Sequence, residues 1–236
     1  MPSDLGRPGA VPLAERLAAV RSGIADAAAE AGRDPASITT IVVTKFHPLT
    51  LVQELMHLGV ADFGENRHQE AQAKAAALAA LGLDIPVRWH FIGQLQSKKA
   101  KQVRAYATAI HSLDRDSVID ALASDDAPID SFVQLNLTDD PGRGGVAEGD
   151  IERVVQRVLG TAGLRLLGVM AVAPVDGDPR AAFERVREAS LRVRSLAPEA
   201  TFISAGMSGD YREAILEGAT HLRIGSAITG NRPTDG

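Results

Sequence analysis

Eight times along this chain an apolar, β-branched run gives way to a segment with helical periodicity, and no other feature limits the possible folds so tightly. The first run, Thr39 to Lys45, is too continuous to alternate in polarity, as befits a strand buried on both faces. Leu51, Val52, Leu55 and Leu58 then recur at helical spacing. Here Thr50-x-x-Gln53 resembles a capping box, and Gly59 supplies a C-terminal stop. Further strands are expected near 62–65, 88–93, 109–114, 131–137, 164–173, 201–207 and 222–228, with helical patterns near 67–81, 97–106, 116–123, 151–159, 180–196 and 211–217. Strands alternating with helices pair in parallel through right-handed crossovers. Eight such units within about 200 residues predict a single (β/α)8 TIM barrel at the compact end of its size range. An open doubly wound sheet is the competing arrangement, but no Gly-rich phosphate fingerprint follows the first strand. Leu13, Leu17, Val20 and Ile24 add an extra N-terminal helix ahead of the barrel. No linker divides the chain, so one domain is expected over 1–236. Its core spans about 39–230, with 1–10 and 231–236 expected to be flexible.

Composition narrows the partners. With 25 Lys+Arg against 30 Asp+Glu the chain has no basic excess for a phosphate backbone, so no nucleic-acid partner is expected. The lack of cysteine excludes disulfides, thiolate catalysis and Cys-ligated metals. His47, His57, His68, His90, His111 and His221 follow no metal-ligand spacing; no metal is expected, and they read as local hydrogen-bonding or surface residues. The stretch Met1–Val20 has no apolar run fit for a signal peptide, and Leu166–Val175, interrupted by Pro174, is too short to cross a bilayer. A soluble, cytoplasmic protein with a small-molecule partner is the expectation.

A barrel carries its chemistry at the C-terminal ends of its strands. Lys45 ends the first run, where a partly desolvated amine suits Schiff-base formation; snorkelling out to solvent, or pairing with a carboxylate such as Glu65, is the alternative. After the seventh run, Gly206-Met207-Ser208-Gly209-Asp210 offers an anion-binding turn. Asp210-x-x-Glu213 is placed to cap the next helix, leaving the Ser208 hydroxyl and the Gly209 and Asp210 N–H groups free. The same segment is a near miss for a nucleophile elbow, with Asp210 where glycine is needed. After the eighth run comes a second turn, Gly225-Ser226, and barrels commonly hold phosphate between loops seven and eight. Arg223, flanked by Leu222 and Ile224, is expected to be buried, and a buried guanidinium demands a partner: a salt bridge inside the barrel, or a ring nitrogen of a cofactor.

Together VTKFHP (43–48), FGENRHQEAQAK (63–74), WHFIGQLQSKK (89–99), LLGVMAVAP (166–174) and GMSGDYREAILEGATHLRIGSAITG (206–230) resemble the pyridoxal phosphate homeostasis proteins, whose fold is like the N-terminal barrel domain of alanine racemase. The resemblance implies that Lys45 holds pyridoxal 5′-phosphate (PLP) as an internal aldimine, and that Ser208, Gly225 and Ser226 hold its phosphate. It further implies that Arg223 faces the pyridine nitrogen, Asn66 lies beside the cofactor and Met207 packs near the phosphate. Phe46, Lys98 and Arg143-Gly144-Gly145 depart from the family pattern. An arginine at the ring nitrogen leaves the ring a weak electron sink, which disfavours transamination. Racemisation needs an acid–base group on each face of the α-carbon. Lys45 serves one face, while Tyr106 and Tyr211 read as helix residues and the barrel is expected to use up the chain. The expected role is therefore a monomeric, non-enzymatic carrier that buffers PLP or delivers it to PLP-dependent apoenzymes. The alternatives are an amino-acid racemase, with His90 or a water as second base, and a Schiff-base aldolase acting on a phosphosugar.

Overall fold

The computed structural model describes residues 11–83, 85–138 and 140–231, so 1–10 and 232–236, read above as flexible, lie outside the described residues. Eight parallel strands close into a barrel in chain order. They are β1 (Thr39–Val43), β2 (Asp62–Glu65), β3 (Arg88–Phe91), β4 (Ala109–Leu113), β5 (Ile129–Leu135), β6 (Leu164–Ala171), β7 (Phe202–Ser204) and β8 (His221–Ile224). Closure comes from β8 pairing back onto β1, with Thr39 opposite His221 and Ile41 opposite Arg223. The expected (β/α)8 barrel is the fold.

The surrounding helices follow their apolar spacing: α1 (Leu13–Glu30), α2 (Leu49–His57), α3 (His68–Ala79), α4 (Ala100–Arg104), α5 (Asp116–Leu122), α6 (Ile151–Leu159), α7 (Pro179–Leu196), α8 (Tyr211–Leu216) and α9 (Ser226–Thr229). In α6, Ile151, Val154, Val155 and Val158 are fully buried while Glu152, Arg153, Gln156 and Arg157 are exposed, one apolar stripe laid on the barrel. The extra helix α1 buries Leu13, Leu17, Val20 and Ile24 and packs on α8 and α9. Arg16 Nε donates to the Ile228 carbonyl at 2.6 Å and Arg33 Nη1 to that of Ala219 at 2.7 Å. Thus α1 braces the elements that follow β7 and β8.

Element ends differ from the sequence reading, for local reasons. β8 stops at Ile224 instead of running to 228, because the Ile228 and Thr229 N–H groups turn back to the Gly225 carbonyl, both at 2.9 Å, and make α9. β7 is only three residues long: Gly206 takes φ +92°, and a Cβ there would lie 2.7 Å from that of Ala214. The Thr50 capping box does not form. Pro48 occupies the N-cap of α2 without a side-chain bond, and Thr50 lies inside the first turn. Gly59 does end that helix, with the Val60 N–H reaching back to the Leu55 carbonyl at 3.0 Å. Tyr106 falls in a turn beyond α4, not in a helix.

Where β6 meets β7 the backbones nearly touch, and a Cβ on Gly168 would stand 1.8 Å from the Phe202 carbonyl oxygen. That neighbour is backbone and cannot swing aside. Gly168→Ala is expected to lower stability by at least the ~1–3 kcal/mol typical of an overpacked core, read as a fall in the urea midpoint without a change in slope. An unchanged midpoint would show that the two strands can part without cost.

Candidate functional site

β1 pairs with its neighbours only as far as Val43, and the next residue, Thr44, is fully buried. Lys45 comes after it in an exposed turn, so the partial desolvation expected of its amine is not found. Its proposed partner Glu65 is taken by another lysine. Lys74 Nζ, buried, donates to Glu65 Oε1 at 2.7 Å, to Glu70 Oε1 at 2.8 Å and to the Thr44 carbonyl at 2.8 Å. Thr44 Oγ1 also donates to Glu65 Oε1, at 2.8 Å, and the Phe46 N–H to Glu70 Oε1 at 2.7 Å. Both neighbours of Lys45 are therefore held by one buried network. Phe46 adopts φ +68°, a left-handed conformation costly for a bulky residue, with the Arg67 guanidinium 4.6 Å from its ring centroid. Burial raises the Glu65 carboxyl above its ordinary pKa, and the attraction of Lys74 only partly opposes this.

Asn66 leaves β2 level with Lys45, since Val43 is paired with Gly64. Its Oδ1 is buried and has no hydrogen-bond partner, as is also true of Glu65 Oε2, His68 Nδ1 and Tyr106 Oη. Buried polar atoms are seldom left unpaired in this way.

On the other flank of β1, where β8 closes the barrel, loops seven and eight are fastened together. Ser208 Oγ accepts the Ala227 N–H at 3.2 Å, which brings Ser208 beside Ser226. Gly225 adjoins β1, where a Cβ would meet that of Val43 at 3.7 Å, an ordinary contact. Met207 is partly exposed. Asp210 does not cap α8 as expected; its Oδ1 accepts the Met207 N–H at 2.5 Å, and its own N–H goes to the Met207 carbonyl at 3.2 Å, so that N–H is not free. The carboxylate closes the loop ahead of the helix.

Arg223 is 4% exposed, as its apolar neighbours imply, but its partners are neutral: Nη1 donates to Ser204 Oγ at 2.7 Å and Nη2 to the Ala171 carbonyl at 2.8 Å. The salt bridge considered as its alternative does not form with these partners. Burial lowers its pKa to about 10, which still leaves it charged at neutral pH.

His90, His111 and His221, which their sequence positions mark as local hydrogen-bonding or surface residues, converge inside the barrel. The His111 and His221 rings are 6.4 Å apart, and those of His90 and His111 5.2 Å. His90 and His221 border a cavity of about 220 Å³ with Thr39, Asp62 and Arg88, at the end where the strands begin, opposite Lys45. The Lys74 network and this cluster both escaped the sequence reading. Only the Glu70–Lys74 spacing of four residues carried a local signal.

Residues 16–233 match the family described as alanine racemase, N-terminal domain. The pyridoxal phosphate homeostasis protein of Mycobacterium tuberculosis is 38% identical over 241 residues, covering 93% of each chain. PipY of Synechococcus elongatus, solved with PLP bound, is 30% identical with a TM-score of 0.79, over 93% of this chain and all of that one. Alanine racemase from Corynebacterium glutamicum shares the fold, with a TM-score of 0.67 at 15% identity over 90% of this chain and 60% of the racemase.

Proposed function

Since the chain belongs to the family of pyridoxal phosphate homeostasis proteins, built on the alanine racemase N-terminal domain, we propose that it binds PLP at the barrel mouth and buffers or delivers it without catalysing amino-acid chemistry. When bound, the cofactor supplies an electrophilic aldehyde and an electron-withdrawing ring. The donors of the mouth fit such a group. The exposed Lys45 amine is free to meet the aldehyde, and the hydroxyls of Ser208 and Ser226 with the backbone at Gly225 suit a phosphate. Asn66, whose Oδ1 lacks a partner, and Met207 complete the surroundings. The observation carrying this assignment is the Ser208–Ala227 clamp, which gathers the two Gly/Ser turns at one end of the barrel.

Arg223 argues against transamination. A guanidinium only donates hydrogen bonds, so a ring nitrogen set against it would stay unprotonated and the ring would withdraw electrons weakly. A second base is also wanting among the candidates named above. Burial, with Glu65 nearby, raises the Tyr106 phenol well above its usual pKa and keeps its proton on; Tyr211 opens α8, and His90 lies at the far end of the barrel. The protein then acts as a single-domain, cytoplasmic monomer whose recipients are PLP-dependent apoenzymes. Holo protein is expected to show no racemase or transaminase turnover; racemisation at about 1 per second or faster, an ordinary enzymatic rate, would overturn the carrier reading.

Ser208→Ala combined with Ser226→Ala is expected to weaken PLP far more than pyridoxal, because each hydrogen bond to a charged group is worth roughly 1.5–3 kcal/mol. Titration with both ligands checks this. Equal losses would put the phosphate elsewhere.

A further inference from the structure

Five buried side chains, each from a different strand, form one unbroken hydrogen-bond chain through the barrel. Asp62 Oδ1 meets His90 Nε2 at 2.9 Å, His90 Nδ1 meets His111 Nε2 at 3.0 Å, His111 Nδ1 meets Ser204 Oγ at 2.9 Å, and Ser204 Oγ meets Arg223 Nη1 at 2.7 Å. They belong to β2, β3, β4, β7 and β8 in that order. The chain starts beside the cavity at the strand starts and ends on the residue that the proposed function sets against the cofactor ring.

Its ends give it a single direction. Arg223 can only donate, and ionised Asp62, which also takes Arg88 Nε at 2.7 Å, can only accept. Burial acts to raise the Asp62 carboxyl, but the hydrogen bonds from His90 and Arg88 outweigh it and hold the pKa at about 2. His90 must then carry its hydrogen on Nε2 and accept at Nδ1. His111 must do the same, accepting the Ser204 hydroxyl hydrogen, and the Ser204 oxygen accepts from Arg223. Every link is satisfied with both imidazoles neutral. Burial, and then the adjacent His90 and Arg223, push the His111 pKa well below its ordinary value, in keeping with a neutral ring. Hydrogen bonds aligned head to tail in a low dielectric polarise and strengthen one another.

We propose that Asp62, His90, His111 and Ser204 form a one-directional relay that orients the Arg223 guanidinium for the PLP site, with His90 and His111 as positioning residues that never touch the cofactor. The effect on the ligand rests on the function proposed above; the relay itself does not.

Two measurements test it. In cofactor-free wild-type protein, two-bond 1H–15N NMR of the histidine rings at pH 7 is expected to show hydrogen on Nε2 of both His90 and His111 and a bare Nδ1 on His111. A hydrogen on His111 Nδ1, or a doubly protonated ring at either position, overturns the relay. This readout stands whether or not the wild type binds PLP, whereas a wild type that takes up no PLP defeats the function and leaves the relay standing. The second is a double-mutant cycle on PLP affinity. His111→Phe retains a ring against Phe132, now 4.4 Å away, but deletes both nitrogens. It is expected to weaken PLP about fivefold in the wild-type background and less than about twofold when Ser204 is already alanine. An equal factor in both backgrounds means that His111 acts through packing, and the proposal fails. If His111→Phe does not fold, the wild-type tautomers decide alone.

Discussion

Purified Lys45→Ala protein is expected to be colourless where the wild type is yellow with PLP, and borohydride reduction of the wild type should leave a phosphopyridoxyl group on Lys45 alone. The chain has five lysines, and their surroundings separate them. Lys74 is buried with its Nζ committed to three acceptors, so it is closed to an aldehyde. Lys98 and Lys99 lie in the 3-10 turn Ser97–Lys99 and Lys101 within α4, several residues beyond the end of β3. Only Lys45 combines an exposed amine with a strand end at the mouth, and its flanks are pinned by Glu70 and Lys74. Peptide mass analysis of the reduced protein reads the position directly. Label on Lys98, Lys99 or Lys101 would sink the assignment.

Lys74→Met should be the most damaging neutral-volume change near the site. It strands the Glu65 carboxylate in a buried setting with Thr44 Oγ1 as its remaining donor, and breaking a buried ion pair on one side typically costs ~3–5 kcal/mol. The pH dependence follows from the direction of the Glu65 shift. A carboxyl whose pKa is raised by burial binds its proton more tightly in the folded than in the unfolded state, so folding gains stability as pH falls through the folded pKa. Removing Lys74 takes away the attraction that opposes this and raises the pKa further. The deficit of the variant against the wild type should therefore be larger at pH 8 than at pH 5, as measured by urea unfolding at both. A deficit equal at the two values would mean that Glu65 is not the group left stranded. The same variant frees the Thr44 carbonyl and leaves Glu70 with the Phe46 N–H, so one of the two flanks of Lys45 is released and PLP binding should weaken.

Much of the architecture was legible because its causes are local. The eightfold alternation of continuous apolar runs with helical stripes leaves a closed parallel barrel as the arrangement that buries all of them, and α6, read over 151–159, begins and ends where its valine spacing does. The sequence reading overruns the C-terminal end of every strand but β2, and β1, β7 and β8 show why. Hydrophobicity continues past the last paired residue there, while the backbone has already turned, at Phe46, Gly206 and Gly225, into the loops of the mouth.

The sequence by itself determined the barrel, the lysine at the end of its first strand and the burial of Arg223, since each depends on neighbours a few residues away. What satisfies Arg223, and what holds Lys45 in place, was decided only by the tertiary structure. His90 and Asp62 are 28 residues apart, His111 and Ser204 93 apart, and Ser204 and Arg223 19 apart. These contacts exist only because parallel strands, each separated from the next by a helix, bring distant inward positions to one level when the barrel closes. A buried polar group must find its partner across that interior, and periodicity along the chain says which residues go inside without saying which of them will meet.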